Sequence, residues 1–370
     1  MNLAIGVNHC VPYFVGGSER VVQQITDSMS REYGMKCHVF SPFAAGDTIH
    51  NGVHVWKPKT ADEMLFKIRS LKIDHFHIYS DYFMAWADIL RKSEMYKCDK
   101  SISLVGMNNM RERLELMSLF KQKHKQFKVV THSSDYLDYQ SCNDLKIPVT
   151  VIPNAIDLSE FKDKGFSFRE KYKITTSKIV LCVSNFYPGK GQEHLVKILS
   201  SLSKRFDDFT AVFICTTVNF APAKTLRANL SQYLSTAPFP SKMLVDISRE
   251  DTLQAFAESD VFAFSSQIEV APLVVLESMA AKLPYVSLDV GNVSSLAGGI
   301  VVKGDSKVEG KWQYTPRVFS EFEEALFLLL TNKQKCLELS SAGRKRIEAE
   351  FNWENSKKMY YKLFTGKDAV

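Results

Sequence analysis

Short apolar runs recur along the chain and alternate with amphipathic stretches. In the first half the runs occupy residues 2–8, 36–42, 53–58, 73–80, 100–107, 127–133 and 150–156, and in the second half 179–183, 211–216, 243–247, 261–265, 285–290 and 299–302. Runs this short and this rich in β-branched residues are typical of parallel strands that are buried on both faces. The pattern therefore predicts an α/β fold with two Rossmann-like, doubly wound domains.

Two amphipathic stretches predict helices that begin shortly after a strand. Residues 18–33 carry an apolar stripe, and Ser18 is expected to cap that helix. Residues 273–282 follow Pro272, a residue that favours the first turn of a helix.

The domain boundary is expected in the polar stretch that ends at Gly165. The two domains then span residues 1–165 and 166–350. Ligands of doubly wound sheets bind beyond the carboxyl ends of the strands. Two such domains facing each other predict a ligand in a central cleft.

The composition is that of a globular protein with a small basic excess. The 370 residues include 47 Lys and Arg against 41 Asp and Glu, which gives a formal net charge of +6, and no segment forms a basic arm. A protein that binds nucleic acid mainly through phosphate contacts is therefore not expected. The seven cysteines are scattered and include no C-x-x-C pair, which argues against a disulfide framework or a zinc site.

The sequence predicts a cytoplasmic protein. It has neither the pattern of a signal peptide nor an apolar run of about 18 residues, the length of a membrane span, and its scattered thiols fit a reducing compartment. The mixed basic and apolar segment 119–128 leaves open a peripheral contact with anionic lipid. A solvated helix end that runs into a strand is the simpler interpretation of that segment.

Glycines and a lysine follow two of the predicted strands. Gly16 and Gly17 precede the first helix, whose first N–H groups can meet an anion; a plain loop-to-helix turn is the alternative. Lys190 lies between two glycines after a later strand, where an ammonium group can meet a phosphate; a solvated loop lysine is the alternative. Neither segment has the spacing of a dinucleotide fingerprint or a P-loop.

Two glutamates flank the predicted start of the helix at 273–282. Glu269 lies in the preceding loop and Glu277 in the second turn. Both carboxylates could flank an anion at the helix start, and a carboxylate suits the two hydroxyls of a ribose. Both could also be ordinary exposed acids. However, Glu277 follows four apolar residues on a helix expected to be buried, so it needs a ligand or a cation as partner.

Four motifs occur in order along the chain. They are Gly16-Gly17-Ser18-Glu19, the segment Val-Ile-Pro-Asn-Ala-Ile-Asp at 151–157, Lys190-Gly191 after a strand, and Glu269-x7-Glu277 followed by Ser-Met-Ala-Ala. In this combination the chain resembles the retaining glycosyltransferases of family 4, which have the GT-B fold. The resemblance spans residues 3 to about 302, and the ending Phe351-Asn-Trp353 also fits it.

The resemblance implies a retaining, metal-independent transferase that moves a hexose or related sugar from a nucleotide-diphosphate sugar to an acceptor. Lys190 would neutralise the leaving diphosphate, and Glu269 would bind a hydroxyl of the donor sugar; these two are the expected catalytic residues. Glu277 would hold the ribose hydroxyls. No other cofactor is implied, and the chain has no Asp-x-Asp triplet for a divalent ion.

The resemblance also implies the remaining donor contacts. Backbone N–H groups of Leu273 and Val274 would hold phosphate oxygens, and Gly16 and Gly17 would approach the diphosphate and the acceptor. The last helix, at about 351–370, would pack back on the N-terminal domain.

The chain departs from the family pattern on the donor side. Asn185 stands where many relatives have an arginine. Its amide can donate a hydrogen bond to the nucleotide sugar but supplies no charge, so Lys190 would bear more of the stabilisation. Arg249 is a candidate substitute for the missing charge.

A second departure concerns the acceptor side, where relatives often have a histidine. Asn108 is the expected occupant of that place, and Arg111 could meet an acidic acceptor or a phosphate. His132 is another candidate, although a hydrogen-bonded structural histidine is the simpler interpretation.

Two other functions stay open. One is an epimerase or hydrolase of the nucleotide sugar, and the other is a degenerate nucleotide-sugar-binding subunit that needs a catalytic partner. For the transferase, we expect a UDP-sugar rather than a GDP-sugar as donor and a glycan or lipid-linked glycan as acceptor, in polysaccharide or glycoconjugate biosynthesis.

Overall fold

The chain forms two compact α/β units. A computed structural model describes residues 1–11, 16–80, 86–106, 122, 124–162, 164–217 and 221–369. The N-terminal unit comprises Met1–Asn154 together with Glu354–Val370, and the C-terminal unit comprises Ala155–Trp353.

The N-terminal unit contains an eight-stranded sheet. Its strands are β1 Asn2–Gly6, β2 Lys36–Phe40, β3 Thr48–His50, β4 Val53–Trp56, β5 His75–Ser80, β6 Asp99–Leu104, β7 Lys128–Thr131 and β8 Val149–Val151. The spatial order is β3-β4-β2-β1-β5-β6-β7-β8. All neighbours are parallel except β3 and β4, and the order reverses between β1 and β5.

The C-terminal unit contains a six-stranded parallel sheet and a separate hairpin. The sheet strands are β9 Lys178–Asn185, β10 Phe209–Thr216, β11 Ser241–Val245, β12 Val261–Phe264, β13 Tyr285–Leu288 and β14 Gly299–Val302, in the order β11-β10-β9-β12-β13-β14. The hairpin pairs β15 Lys307–Val308 with β16 Lys311–Trp312 in antiparallel fashion. The order of the large sheet reverses between β9 and β12.

Helices connect most of these strands. They are α1 Gly17–Arg31, α2 Ala61–Ser70, α3 Ala87–Arg91, α4 Leu137–Asp144, α5 Phe168–Lys171, α6 Gln192–Leu202, α7 Ala221–Ser235, α8 Arg249–Glu258, α9 Leu273–Ala280, α10 Pro316–Thr331, α11 Lys333–Ala349 and α12 Trp353–Thr365. In the described chain no helix combines the length and the apolar character that a membrane crossing requires.

Each of the thirteen predicted apolar runs overlaps a strand of one of the two large sheets. Most buried residues of the two sheets are apolar, although β5 and β6 also bury histidines and serines. In β12, for example, all four residues are apolar and fully or nearly fully buried. The sequence pattern did not predict β3 or the hairpin of β15 and β16, whose strands are two or three residues long and are half-buried or exposed.

The first helix begins earlier than predicted. Ser18 was expected to be the N-cap, but the N-cap is Gly16, and the Glu19 carboxylate accepts a hydrogen bond from the Gly16 N–H at 3.0 Å. The apolar stripe packs inward as expected, with Val22, Ile25 and Met29 buried. The N-cap thus has no hydroxyl, and the carboxylate of the first turn instead bonds the backbone N–H of the N-cap residue.

The boundary between the units lies eleven residues before the expected position at Gly165. The backbone of Ile156 pairs with the end of the C-terminal unit, since its N–H donates to Phe351 O and its carbonyl accepts from Trp353 N–H. Glu160 forms an ion pair with Arg249 of α8. The C-terminal unit therefore begins at Ala155, and the polar stretch that suggested a linker lies inside this unit.

Helix α12 packs on the N-terminal unit. Lys357 Nζ donates to the Glu32 carboxylate, and Lys128 Nζ donates to Leu363 O at 3.0 Å. The rings of Tyr33 and Tyr361 lie 4.4 Å apart.

Beneath α12, two buried histidines are joined by serines of β6. Ser101 Oγ lies 2.7 Å from both His75 Nε2 and His77 Nδ1, and Ser103 Oγ lies 3.1 Å from His77 Nε2. Burial lowers the pKa of His75 to about 3 and holds the pKa of His77 well below its usual value. Both imidazoles are therefore neutral at pH 7, and each must stay neutral for the sheet to keep this packing.

We expect the N-terminal unit to lose stability below pH 6.5, and His132 provides the test. Burial lowers the pKa of His132 to about 4, while its Nδ1 lies 2.8 Å from Ile152 O. The unfolded chain binds that proton near pH 6.5 and the folded chain does not, so acid favours unfolding by up to about 1.4 kcal/mol per pH unit and per histidine. Urea unfolding between pH 6 and 4 measures how the free energy of unfolding depends on pH. In the variant His132→Asn this slope should correspond to about one proton fewer taken up on unfolding. An unchanged slope would contradict the prediction.

Candidate functional site

The site is built where strand order reverses in the C-terminal unit. Strands β9 and β12 are parallel neighbours there, so the loops that follow them leave the same edge of the sheet. The first loop carries Lys190 and the second carries Glu269. Topology thus brings together two segments that are about 80 residues apart in sequence.

The loop after β9 packs backbone to backbone against the end of β12. Gly191 has φ +70°, and a Cβ atom at this position would lie 2.1 Å from Ser265 O. Ser265 Oγ in turn donates to Lys190 O at 2.9 Å. Only glycine fits both the left-handed backbone and the close approach, so Gly191 fixes the position of Lys190.

The loop after β12 is anchored mainly through main-chain atoms. The Gln267 N–H donates to Gly189 O at 2.7 Å, and the Asn292 N–H donates to Val270 O at 3.0 Å. From the hairpin, the Trp312 N–H donates to Gln267 O at 3.0 Å. Three separate segments of the C-terminal unit therefore hold the loop in place.

Lys190 and Glu269, the two expected catalytic residues, form an ion pair. Lys190 Nζ lies 2.6 Å from Glu269 Oε1, and the side chains are 21% and 15% exposed. The same carboxylate oxygen accepts a hydrogen bond from Ser266 Oγ at 2.6 Å. An ammonium group has three N–H donors, and the contact with Glu269 uses one, so Lys190 can still donate to another anion.

Helix α9 begins at Leu273, four residues after Glu269. Its N-cap is Pro272, which makes no side-chain cap. The N–H groups of Leu273 and Val274 lie in the first turn, where no intrahelical acceptor exists, and the positive end of the helix dipole favours an anion there. The start of the helix and Lys190 both carry positive potential at this edge of the sheet.

Glu277 lies in the second turn of α9 and has the cation partner that its burial requires. Its side chain is 4% exposed, and Glu277 Oε1 lies 2.6 Å from Arg249 Nη1. Arg249 also donates through Nε and Nη2 to Glu160 Oε2, at 3.1 and 2.8 Å. Burial alone would lower the pKa of Arg249, but the carboxylates of Glu277 and Glu160 raise it above its ordinary value.

The role considered for Arg249, a substitute for the missing charge, stays a prediction. The described contacts of Arg249 are to two carboxylates, so its charge is balanced and it holds Glu277 in place. The sequence did not predict that Arg249 would pair with Glu277 and Glu160. Neither Arg249 nor Glu160 belongs to a recognisable motif, and each only lies near the end of a predicted strand or loop.

Asn185 ends β9, where its backbone pairs with Thr216 of β10. Its carbonyl accepts a hydrogen bond from Gln192 Nε2 at 3.0 Å, while its buried side-chain oxygen has no hydrogen-bond partner among the residues that the structure describes. An unsatisfied buried amide oxygen is costly. The residue is neutral, so it adds a polar atom but no charge to the edge of the site.

In the N-terminal unit, Gly16 and Gly17 begin α1 after β1, beside the reversal of strand order. The Gly16 N–H donates to the Glu19 carboxylate, and the approach of these glycines to a diphosphate stays a prediction. Asn108 and Arg111 lie outside the described residues, as do residues 119–121 and 123 of the mixed basic segment.

His132 fits the structural interpretation. It is 2% exposed, its Nδ1 is hydrogen-bonded to the Ile152 carbonyl, and its buried Nε2 has no hydrogen-bond partner within the described segments. The low pKa of about 4 keeps the imidazole neutral. Over the described ranges, no group of three or more His, Cys, Asp or Glu side chains is arranged to hold a metal ion.

The two doubly wound sheets define an α/β protein. In its C-terminal unit, the ammonium group of Lys190 and the start of a helix can both bind an anion. Residues 163–346 match the model of the family described as glycosyl transferases group 1. The chain belongs to this family, in agreement with the resemblance noted in its sequence.

Sequence relatives are distant and longer. A GDP-mannose-dependent monoacylated alpha-(1-6)-phosphatidylinositol monomannoside mannosyltransferase of Corynebacterium glutamicum is 22% identical over 218 residues, 55% of this chain and 52% of that protein. A probable sucrose-phosphate synthase of Thermosipho melanesiensis is 23% identical over 241 residues, 64% of this chain and 51% of that protein. The chain thus spans about half the length of the curated relatives it matches.

Solved structures are similar over nearly the whole chain. A sucrose-phosphate synthase from Thermosynechococcus elongatus has a TM-score of 0.78 at 14% identity, covering 99% of this chain and 100% of that one. Anabaena HepE, solved in complex with UDP and glucose, has a TM-score of 0.78 at 15% identity with the same coverage. The predicted fold class, two Rossmann-like units of the GT-B type, is confirmed.

Proposed function

We propose that this protein is a retaining, metal-independent glycosyltransferase that moves a hexose from a nucleotide-diphosphate sugar to a glycan or lipid-linked glycan. The observation that carries the proposal is the Lys190–Glu269 ion pair. Glu269 lies in the loop directly before α9, and Glu277 lies in the second turn of that helix. Family membership supports the reaction class, and the geometry supports the donor contacts.

In the proposed reaction, Lys190 stabilises the leaving diphosphate. Negative charge builds on the diphosphate as the bond to the sugar breaks, so contacts that strengthen at that moment lower the barrier. A charge-assisted hydrogen bond contributes about 1.5–3 kcal/mol, and the start of α9 adds roughly 0.3–2 kcal/mol. Leu273 and Val274 would supply the N–H groups of that helix start.

Glu277 and Glu269 are proposed to recognise hydroxyl groups. The ion pair with Arg249 engages Glu277 Oε1, and a carboxylate has further lone pairs that suit the hydroxyls of a ribose. Glu269, held by Lys190 and Ser266, would accept a hydrogen bond from a hydroxyl of the donor sugar. Both carboxylates are rigidly placed, which favours recognition of one geometry.

We also propose the nucleotide base of the donor and the class of acceptor. The names of curated relatives include GDP-mannose, whereas HepE was solved with UDP; the preference for a UDP-sugar stays a prediction. The mannosyltransferase named above acts on a phosphatidylinositol glycan, which supports a lipid-linked acceptor and, with it, a cytoplasmic protein in peripheral contact with a membrane.

Titration with a panel of nucleotide sugars, followed by product analysis, tests the proposal. A bound donor raises the melting temperature of the native protein, and the transferred sugar should keep the anomeric configuration of the donor. Release of free or isomerised sugar without an acceptor would favour an epimerase or hydrolase instead. Transfer that depends on a second protein would indicate a binding subunit.

Replacing Glu277 with Gln should weaken the binding of nucleoside diphosphates about tenfold, because one charge-assisted hydrogen bond to the ribose is lost. Calorimetry with UDP, GDP and their 2′-deoxy analogues measures the effect. The matched variant Glu160→Gln removes the other partner of Arg249 but no proposed ligand contact, so it should keep the preference for ribose. Equal preference in both variants would contradict the role of Glu277.

A further inference from the structure

The charged groups around the two site loops do not balance in favour of an anion. Lys190 is paired with Glu269, and Arg249 is paired with both Glu277 and Glu160. Three carboxylates against two cations leave these five side chains with one negative charge. Asn185, which ends β9, is neutral. A further cation at this edge of the sheet would therefore favour the binding of a diphosphate.

The hairpin of β15 and β16 is locked onto the same edge. Gln267 and Trp312 exchange two hydrogen bonds: the Trp312 N–H donates to Gln267 O at 3.0 Å, and Gln267 Nε2 donates to Trp312 O at 2.7 Å. The indole N–H of Trp312 donates to Asp289 O at the end of β13. Tyr314, two residues later, donates to Ser265 O at 2.9 Å. These hydrogen bonds hold the hairpin against the loops of the site.

Lys311 is the hairpin residue whose side chain lies against the Lys190 loop. A Cβ atom built on Gly189 would lie 3.4 Å from Cδ and Cε of Lys311 and 3.5 Å from Cγ2 of Ile268. The lysine stem therefore runs over the residue next to Lys190, and its partial burial leaves the ammonium group at the end of a covered stem. In the described part of the chain, no carboxylate pairs with Lys311.

We propose that Lys311 is a second cation of the donor site and contacts the diphosphate of the nucleotide sugar. This inference rests on the proposed function of the site. Its charge offsets the excess of carboxylates, and a compact ammonium group on a flexible stem suits a phosphate oxygen. The hairpin therefore has a function: it delivers a cation that the strand exits themselves do not provide.

Calorimetric titration of the full chain with UDP, GDP, uridine and guanosine tests this proposal. Lys311→Met keeps the stem that packs on Gly189 and removes the charge. We expect it to weaken the binding of the nucleoside diphosphate about tenfold, to leave nucleoside binding unchanged, and to reduce the salt dependence of diphosphate binding. Lys311→Arg should restore binding.

Lys307→Met is the matched control. Lys307 lies on the same hairpin with its ammonium group over the Trp312 ring at 4.2 Å, so this variant removes a charge from the hairpin without touching Gly189. Equal diphosphate affinity in wild type and Lys311→Met overturns the inference, as does an equal loss in both lysine variants. A wild-type protein that binds neither UDP nor GDP overturns the proposed function itself.

Discussion

Lys190→Ala should lower kcat by roughly 10²–10³-fold, the effect of removing one donor that stabilises charge in a transition state. The affinity for the donor should fall much less, because the ammonium contact strengthens as the diphosphate leaves. Steady-state kinetics with a radiolabelled nucleotide sugar, together with donor titration, separates the two quantities.

Two variants make this result specific to the charge at position 190. Lys190→Arg keeps the charge and should retain a large part of the turnover, whereas Lys204→Ala removes an exposed lysine of the same unit and should change nothing. Loss of Lys190 leaves Glu269 bonded to Ser266, so the loop should stay folded and the melting temperature should change little. Undiminished turnover in Lys190→Ala would remove this lysine from the reaction.

Gly191→Ala should destabilise the C-terminal unit by about 2–5 kcal/mol. The left-handed backbone at φ +70° costs an alanine about 1–2 kcal/mol, and its Cβ would lie 2.1 Å from Ser265 O, so the two backbones must separate. Urea unfolding measures the loss, and the displaced Lys190 should lower turnover as well.

Gly165→Ala separates these two costs. Gly165 has a similar φ of +73°, but nothing lies within 4 Å of its Cβ position, so only the backbone strain applies. Gly165→Ala should therefore cost about 1–2 kcal/mol and leave turnover intact. Equal losses of stability in the two variants would mean that the contact with Ser265 relaxes freely.

The sequence predicted the sheets well because their physical signal is strong and local. A strand buried on both faces, such as β12, must be apolar throughout its length, and so the runs are visible without knowing the neighbours. The loops of Lys190 and Glu269 were found for a related reason. They follow such strands, and the exits of parallel neighbours share one edge of a sheet.

Features that depend on packing between helices were not predictable. Arg249 and Glu277 lie 28 residues apart on different helices, and their ion pair depends on how α8 and α9 dock on the sheet. The hairpin of β15 and β16 has two residues per strand, too few for an alternating pattern. The boundary at Asn154 was not predicted because it depends on backbone hydrogen bonds of Ile156. Backbone hydrogen bonds cannot be recognised from amino-acid composition.

The main-chain anchoring of the loop after β12 has a consequence for how such a protein can diversify. Its bonds to Gly189, Asn292 and Trp312 use backbone atoms of Gln267 and Val270. Side chains at neighbouring positions such as Ile268 can therefore be exchanged without moving the loop. In such a loop the backbone conformation does not depend on the exposed side chains. Point substitutions can therefore change which ligand the loop selects while the fold stays the same.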